Sequence, residues 1–135
     1  MNTPSVPALD AAARLWAGVA IATTIAFTVY GQMILKWRLG QLGAMPEAFW
    51  PKVSHLAWLV FDPWIFSSFF AAFLASLAWM AALDRLDLTY AYPFMALNFV
   101  VVLLLGALLL GESLSVPKVV GVLLIIAGTV VASRG

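Results

Sequence analysis

Thr24, Thr28, Gln32 and Lys36 recur every four residues inside the apolar stretch "TIAFTVYGQMILKWR". On a helix that spacing stacks the side chains along one slowly drifting face. Each threonine can return its hydroxyl to the carbonyl one turn back, so neither demands a partner. The Gln32 amide, with two donors and an acceptor, has no such local solution. Lys36 either snorkels its ammonium to a membrane surface or meets an anion. Taken together, the four predict a face turned toward a bundle interior or a wet cavity. That is where polar side chains of membrane helices collect.

A second polar point is Asn98, ten residues beyond Leu88. That places it about 15 Å along a helix, near the middle of a bilayer. It serves either as a hydrogen-bonding link between helices or as a ligand contact. Just before it, in "TYAYPF", Pro93 withholds a backbone donor and favours a kink, and Tyr92 offers a hydroxyl. Tyr92 and Asn98 point about 120° apart on an ideal helix, so a shared cavity requires a bend. Lys36 and Arg85 are cations at the ends of apolar segments, and each is a candidate for meeting an anionic group. Arg85 has Asp84 and Asp87 beside it as alternative partners, and Glu112 either structures a turn or meets an amine. The candidate binding set is therefore Thr28, Gln32, Lys36, Arg85, Tyr92, Asn98 and Glu112. No nucleophile–base constellation can be assembled, no cysteine is present, and no cofactor or metal site is expected.

The elements that must carry these residues are long and apolar. Of 135 residues, 64% are hydrophobic and 10% charged, with a net charge of +1. An average soluble chain is only about half apolar, and a chain this short cannot hide the excess in a core. The near-neutral charge shows no nucleic-acid footprint. Four apolar segments stand out, at about Leu15–Trp37, Trp64–Leu83, Leu88–Leu110 and Val116–Ala132. Each approaches the ~20 residues that cross a bilayer. The expected architecture is one all-α membrane domain over residues 1–135, with four transmembrane helices. Residues 1–14 read as a polar tail before a retained helix, since the first apolar run is too long for a cleaved signal.

"DRLD" and "GESLS" read as tight turns, with Ser115 as N-cap and Pro117 in the first turn of the last helix. The connection 38–63 is longer. Phe49, Val53, Leu56 and Val60 recur there at helical spacing among three tryptophans, Trp50, Trp58 and Trp64. This predicts a short helix lying in the membrane interface. Ser68, Ala72 and Ser76 form a line of small residues for close packing. Gly121 and Gly128 share a face offered to another copy. Arg14, Arg85 and Arg134 fall at one side and Lys36, Arg38, Lys52 and Lys118 at the other, so charge gives no orientation. No carboxylate lies inside a span, which disfavours direct proton-for-substrate exchange.

"YGQMILK" and the segment "LTYAYPFMALNFVVVLLLGALLLGESLSVPKVVGVLLIIAGTVVAS" resemble the small four-helix branch of the drug/metabolite transporter superfamily. Within it they are similar to the ArnE- and ArnF-like subunits of aminoarabinose-phosphoundecaprenol flippases. The likeness is good over the first helix and residues 83–133 and poor over 38–62, where the connection differs in sequence. It implies a multi-pass bacterial inner-membrane protein that moves a polyprenyl-phosphate-linked monosaccharide between leaflets, with Lys36 and Arg85 as candidate phosphate anchors: a guanidinium grips phosphate in bidentate fashion and an ammonium acts as a point charge. The partners it implies are membrane lipids and either a second copy or a related small subunit. The chain also resembles, more distantly, the small multidrug resistance transporters. Those carry a buried glutamate where Thr28 stands here, which counts against proton-coupled drug export. The competing readings are an exporter of small cations such as polyamines and a non-transporting subunit that stabilises a partner enzyme.

Overall fold

The computed structural model describes residues 11–135, and every element among them is helical. In chain order these are α1 (Ala11–Leu42), α2 (Phe49–Leu59), α3 (Pro63–Leu83), α4 (Leu88–Met95), α5 (Leu97–Leu109) and α6 (Val116–Ala132). Three stretches are long and apolar enough to cross a membrane: Ala11–Leu42, Pro63–Leu83 and the pair of short helices over Leu88–Leu109. α6 is a shorter apolar helix.

α1 exceeds its expected length at both ends. Ala11–Arg14 are helical, since three alanines and an arginine offer nothing to stop a helix. The rest of the expected tail, residues 1–10, lies outside the described residues. At the other end the helix runs past Trp37 to Leu42 and stops just before Gly43, whose φ of +82° suits glycine. α3 starts where Asp62 and Pro63 dictate. The Asp62 carboxylate accepts from the N–H groups of Trp64 and Ile65 at 3.0 and 3.3 Å, and Pro63 needs no donor in the first turn. Ser115 occupies the N-cap position of α6 in extended backbone but makes no side-chain cap bond, and Pro117 follows in the first turn.

α1 and α3 form the most extensive contact in the molecule. They run antiparallel, with Ala17, Ala20 and Ile21 of α1 packing near Ala82 and Leu86, and Gly31 near Ser68. The approach at Gly31 is so close that an added Cβ would lie 3.0 Å from the Ser68 carbonyl oxygen. In lipid no hydrophobic drive separates helix from solvent, so small residues that let backbones touch are what hold such a pair. The expected small-residue line divides. Ser68 is buried in the interface beside Ala71 and Ala75, whereas Ala72 and Ser76 face away from it.

The two ends of the 38–62 connection are tied together. Arg38 grips Asp62 through Nη2 to Oδ2 at 2.7 Å and Nε to the same oxygen at 3.0 Å. Trp37 and Trp64 stack edge to face beside this pair, with ring centroids 5.4 Å apart. α2 lies between the two ends. Phe49 and Val53 fall within it or at its start, Val60 forms its C-cap, and none of its residues is buried by protein.

The third apolar segment is broken. Pro93 leaves the Thr89 carbonyl without its helical donor. The chain then tightens, and the Ala96 N–H reaches the Pro93 carbonyl at 3.1 Å across only three residues. α4 and α5 meet at that turn. α6 crosses it, and the Thr129 hydroxyl lies 3.1 Å from the Pro93 carbonyl and 2.9 Å from that of Ile125.

Candidate functional site

A groove of about 830 Å³ opens between α1, α3 and the α4–α5 pair. The size suits a small organic headgroup. α1 contributes Thr24, Thr28, Gln32 and, at the floor, Gly31; the four-residue spacing delivers them to one wall as the sequence predicts. α3 contributes Ser68, Ala72 and Ser76, so the side of the small-residue line that does not pack is the side that makes room. α4 contributes Thr89 and Tyr92, and the wall continues through Ala96 to Phe99. Phe69, Tyr92 and Phe99 on the rim are exposed.

The polar groups in the groove divide into two kinds. Thr24, Ser68 and Ser76 return their hydroxyls to carbonyls of their own helices, at 2.8, 2.6 and 3.0 Å. These are occupied and add little to recognition. The Gln32 amide and the hydroxyls of Thr28, Thr89 and Tyr92 have no protein partner among the described residues. Four polar groups with unused hydrogen-bonding capacity therefore face one apolar-walled space. No charged side chain lines it.

Of the seven residues singled out from sequence, three line this groove: Thr28, Gln32 and Tyr92. Lys36 continues the α1 stripe one turn beyond Gln32 and is exposed, outside the lining. Arg85 lies past the end of α3, its Nε 3.4 Å from Asp84, so the neighbouring carboxylate has the guanidinium. Glu112 folds back on α5: its N–H donates to the Gly106 carbonyl at 3.0 Å, and its Oε2 lies 3.1 Å from where a Cβ on Gly106 would be. It is a turn-forming residue, and Gly106 leaves the space its carboxylate occupies. Asn98 does not join the groove. The wall follows Thr89, Tyr92 and Ala96, and a residue two places beyond Ala96 points about 200° away. The break at Ala96 does not turn it back. Its Oδ1 is buried without a hydrogen-bond partner.

Thr89 and the second role of Ser76 went unread in the sequence. Thr89 precedes Tyr92 by three and Pro93 by four, the same-face spacing of a helix, so the signal was present.

Asp62 precedes the stretch Pro63–Leu83 and pairs with Arg38 near the end of α1. The Arg38 hydrogen bonds hold the Asp62 carboxyl below its ordinary value. Partial desolvation opposes them, and the Ile65 and Trp64 N–H groups add to the lowering. This pair stands at the Lys36 end of α1.

Apolar helices of spanning length around a partly polar groove define a multi-pass membrane transporter. The comparison with protein families agrees: residues 8–134 match the EamA-like transporter family, and the chain belongs to that family. It is an inner-membrane protein of the drug/metabolite transporter type. Among curated proteins it is 33% identical over 104 residues to a probable 4-amino-4-deoxy-L-arabinose-phosphoundecaprenol flippase subunit ArnE of Pseudomonas aeruginosa, covering 75% of this chain and 90% of that one. The subunit of the same name from Aeromonas salmonicida is 33% identical over 101 residues, 75% of this chain and 82% of its own. The one from Pseudomonas fluorescens (strain Pf0-1) is 37% identical over a shorter stretch, 50% of this chain and 59% of that protein. No solved structure matches the chain.

Proposed function

We propose that this chain is a flippase component that carries a polyprenyl-phosphate-linked monosaccharide across the bilayer with the sugar seated in the groove. The observation that carries this reading is the set of four unpartnered polar groups, Gln32, Thr28, Thr89 and Tyr92, facing a space with no charge in its walls. A sugar presents neutral hydroxyls, which such groups can satisfy. A phosphate inside the same space would be a buried, unpaired charge, which is costly. The phosphate therefore stays at the rim on the Lys36 ammonium, one turn above Gln32, and the prenyl chain remains in lipid. A small organic cation finds no carboxylate in the groove, so the polyamine-exporter reading has no counter-charge to rest on.

In this reading α1, α3, the α4–α5 pair and α6 are four spans. At about 26 Å, α6 crosses with little tilt. α2 lies in the headgroup layer, its Phe49, Trp50 and Trp58 directed to lipid. One four-helix chain makes an open groove, and a second copy or a related small subunit closes it. The face of α6 bearing Gly121 and Gly128, where a Cβ added at either would meet nothing within 4 Å, is the surface for that contact.

Vesicles reconstituted with the protein and a labelled polyprenyl-phosphate sugar test the proposal. Transfer to the opposite leaflet is expected to slow about tenfold with Gln32→Leu, the size of a hydrogen bond lost to a buried polar group. Tyr92→Phe should slow it less and Arg85→Gln not at all. No transfer of any polyprenyl-linked sugar, alone or with a related small subunit, defeats the function. Unchanged transfer in Gln32→Leu defeats the site.

A further inference from the structure

A second groove, of about 300 Å³, lies across α4 from the first. The α4–α5 pair is a partition: Thr89, Tyr92 and Ala96 face one side, and Tyr90, Phe94 and Leu97 face the other. The second groove is apolar almost throughout. Ala17, Ile21 and Ile25 of α1 stand opposite Leu86, Phe94 and Leu97. Its polar groups are the Arg14 guanidinium and the Tyr90 hydroxyl, and neither has a protein partner among the described residues.

Position in the membrane gives this arrangement meaning. Arg14 and Lys36 are 22 residues apart on α1. That is about 33 Å, close to the ~30 Å thickness of bilayer hydrocarbon. Each cation has an exposed tryptophan beside it, Trp16 and Trp37, at the two levels where aromatic belts form. Arg14 therefore sits at headgroup level. From Arg14 to Ile25 the groove follows α1 for about 16 Å, the depth of one leaflet. A cation at a headgroup and an apolar channel one leaflet deep match the two parts of a single lipid chain and its phosphate.

We propose that this groove binds one acyl chain of an anionic glycerophospholipid as a resident lipid, with Arg14 on the headgroup phosphate and the Tyr90 hydroxyl beside it. The site is separate from the sugar groove and depends only on α1 spanning the bilayer. Among the described residues, the other charges at this end, Arg134 after α6 included, lie outside the lining of this groove. Arg85, next to the groove residue Leu86, is exposed and pairs with Asp84 at 3.4 Å, and Asp87 is engaged within the protein. A zwitterionic lipid fills the same channel and brings the same phosphate, but its own ammonium competes with Arg14 for that anion, so the net head charge decides the occupant.

Native mass spectrometry of the purified full chain, equilibrated with equal amounts of phosphatidylglycerol and phosphatidylcholine of matched chains, tests this. The expected result is one retained phosphatidylglycerol, preferred about fivefold, as one arginine at a membrane surface provides. Arg14→Gln should abolish the preference and Arg14→Lys should keep it, which separates charge from folding. Gly18→Leu fills the channel from a position with open space around it and should remove both lipids. Gln32→Leu, in the other groove, should change neither, so this test stands whether or not sugar transfer is found. Equal retention of the two lipids, a preference that survives Arg14→Gln, or retention unaffected by Gly18→Leu overturns the proposal. So does displacement of phosphatidylglycerol by undecaprenyl phosphate, which would make the channel a substrate-tail site.

Discussion

The first half of the molecule, α1 and α3, is held by backbone approach, while the second half, α4 to α6, barely holds itself. In the first, Ala17, Ala20, Thr24 and Gly31 meet Ile65, Ser68, Ala71, Ala75 and Ala82, all of them buried. In the second, each helix buries one residue by protein contact: Ala91, Gly106 and Thr129. Leucines and valines such as Leu104, Leu108, Leu124 and Val131 stand uncovered. Since lipid tails are as apolar as leucine, those faces gain nothing by turning inward, and only close-fitting small residues or polar bonds would hold them. The contrast divides the labour of the sugar groove. Gln32 and Thr28 stand on the fixed wall. Tyr92 and Thr89 stand on a wall that ends in a proline-weakened turn and leans on one hydroxyl of α6.

The largest expected effect tests the packed half directly. Gly31→Leu drives a side chain into the Ser68 backbone, which cannot yield as a flexible side chain would. Unfolding in mixed micelles should show a loss of about 3 kcal/mol. Gly128→Leu, with nothing within 4 Å, should stay within about 0.5 kcal/mol at low protein concentration. Equal losses at the two sites would erase the distinction between the halves. A loss at Gly128 that grows with concentration would sharpen it, because the second half would then be packed by another chain.

The next effect concerns the clamp at the end of the packed half. Asp62→Asn removes the Arg38 pair and weakens the α3 cap together. Since the folded carboxyl titrates below its unfolded value, its contribution is fully present above the unfolded value of about 4 and fades as pH falls through the folded one. Wild type should therefore be more stable than Asp62→Asn at pH 7, and the two should converge in acid. Denaturant unfolding across that range measures the gap. A gap that persists at the acid limit would assign the effect to packing.

How much of this was legible before the structure follows from the kind of signal each part leaves. The length of the apolar runs located the long helices, and the α1 stripe gave Thr28 and Gln32 because residues four apart on one helix share a face regardless of what surrounds them. α6 matches its expected bounds because Ser115 and Pro117 mark its start. Asn98 could not be placed, since which face of α5 meets which neighbour is set by tertiary packing around the Ala96 turn. Arg85 and Glu112 were legible as charged and ambiguous as to partner. Each has a local answer, Asp84 and the Gly106 turn. The Asp62–Pro63 start of α3 went unread, although an aspartate followed by a proline marks a helix start. Its tie to Arg38, 24 residues away, leaves no such mark.

The smallest effect asks whether the weak half moves. The Thr129 hydroxyl has one proton and two carbonyls in reach, Ile125 of its own helix and Pro93 of α4. The Pro93 carbonyl already accepts from Ala96, so losing the hydroxyl leaves no acceptor stranded. Thr129→Val keeps the shape and should cost about 0.6 kcal/mol, the average for a polar contact between membrane helices. Its consequence should appear in motion instead. With the tether gone, spin labels at introduced cysteines on α4 and α6 (the chain has none of its own) should show a broader distance distribution than in wild type. The same pair of labels on α1 and α3 should not change. If both distributions stay narrow, the turn after Pro93 is rigid by itself, and both walls of the sugar groove are fixed.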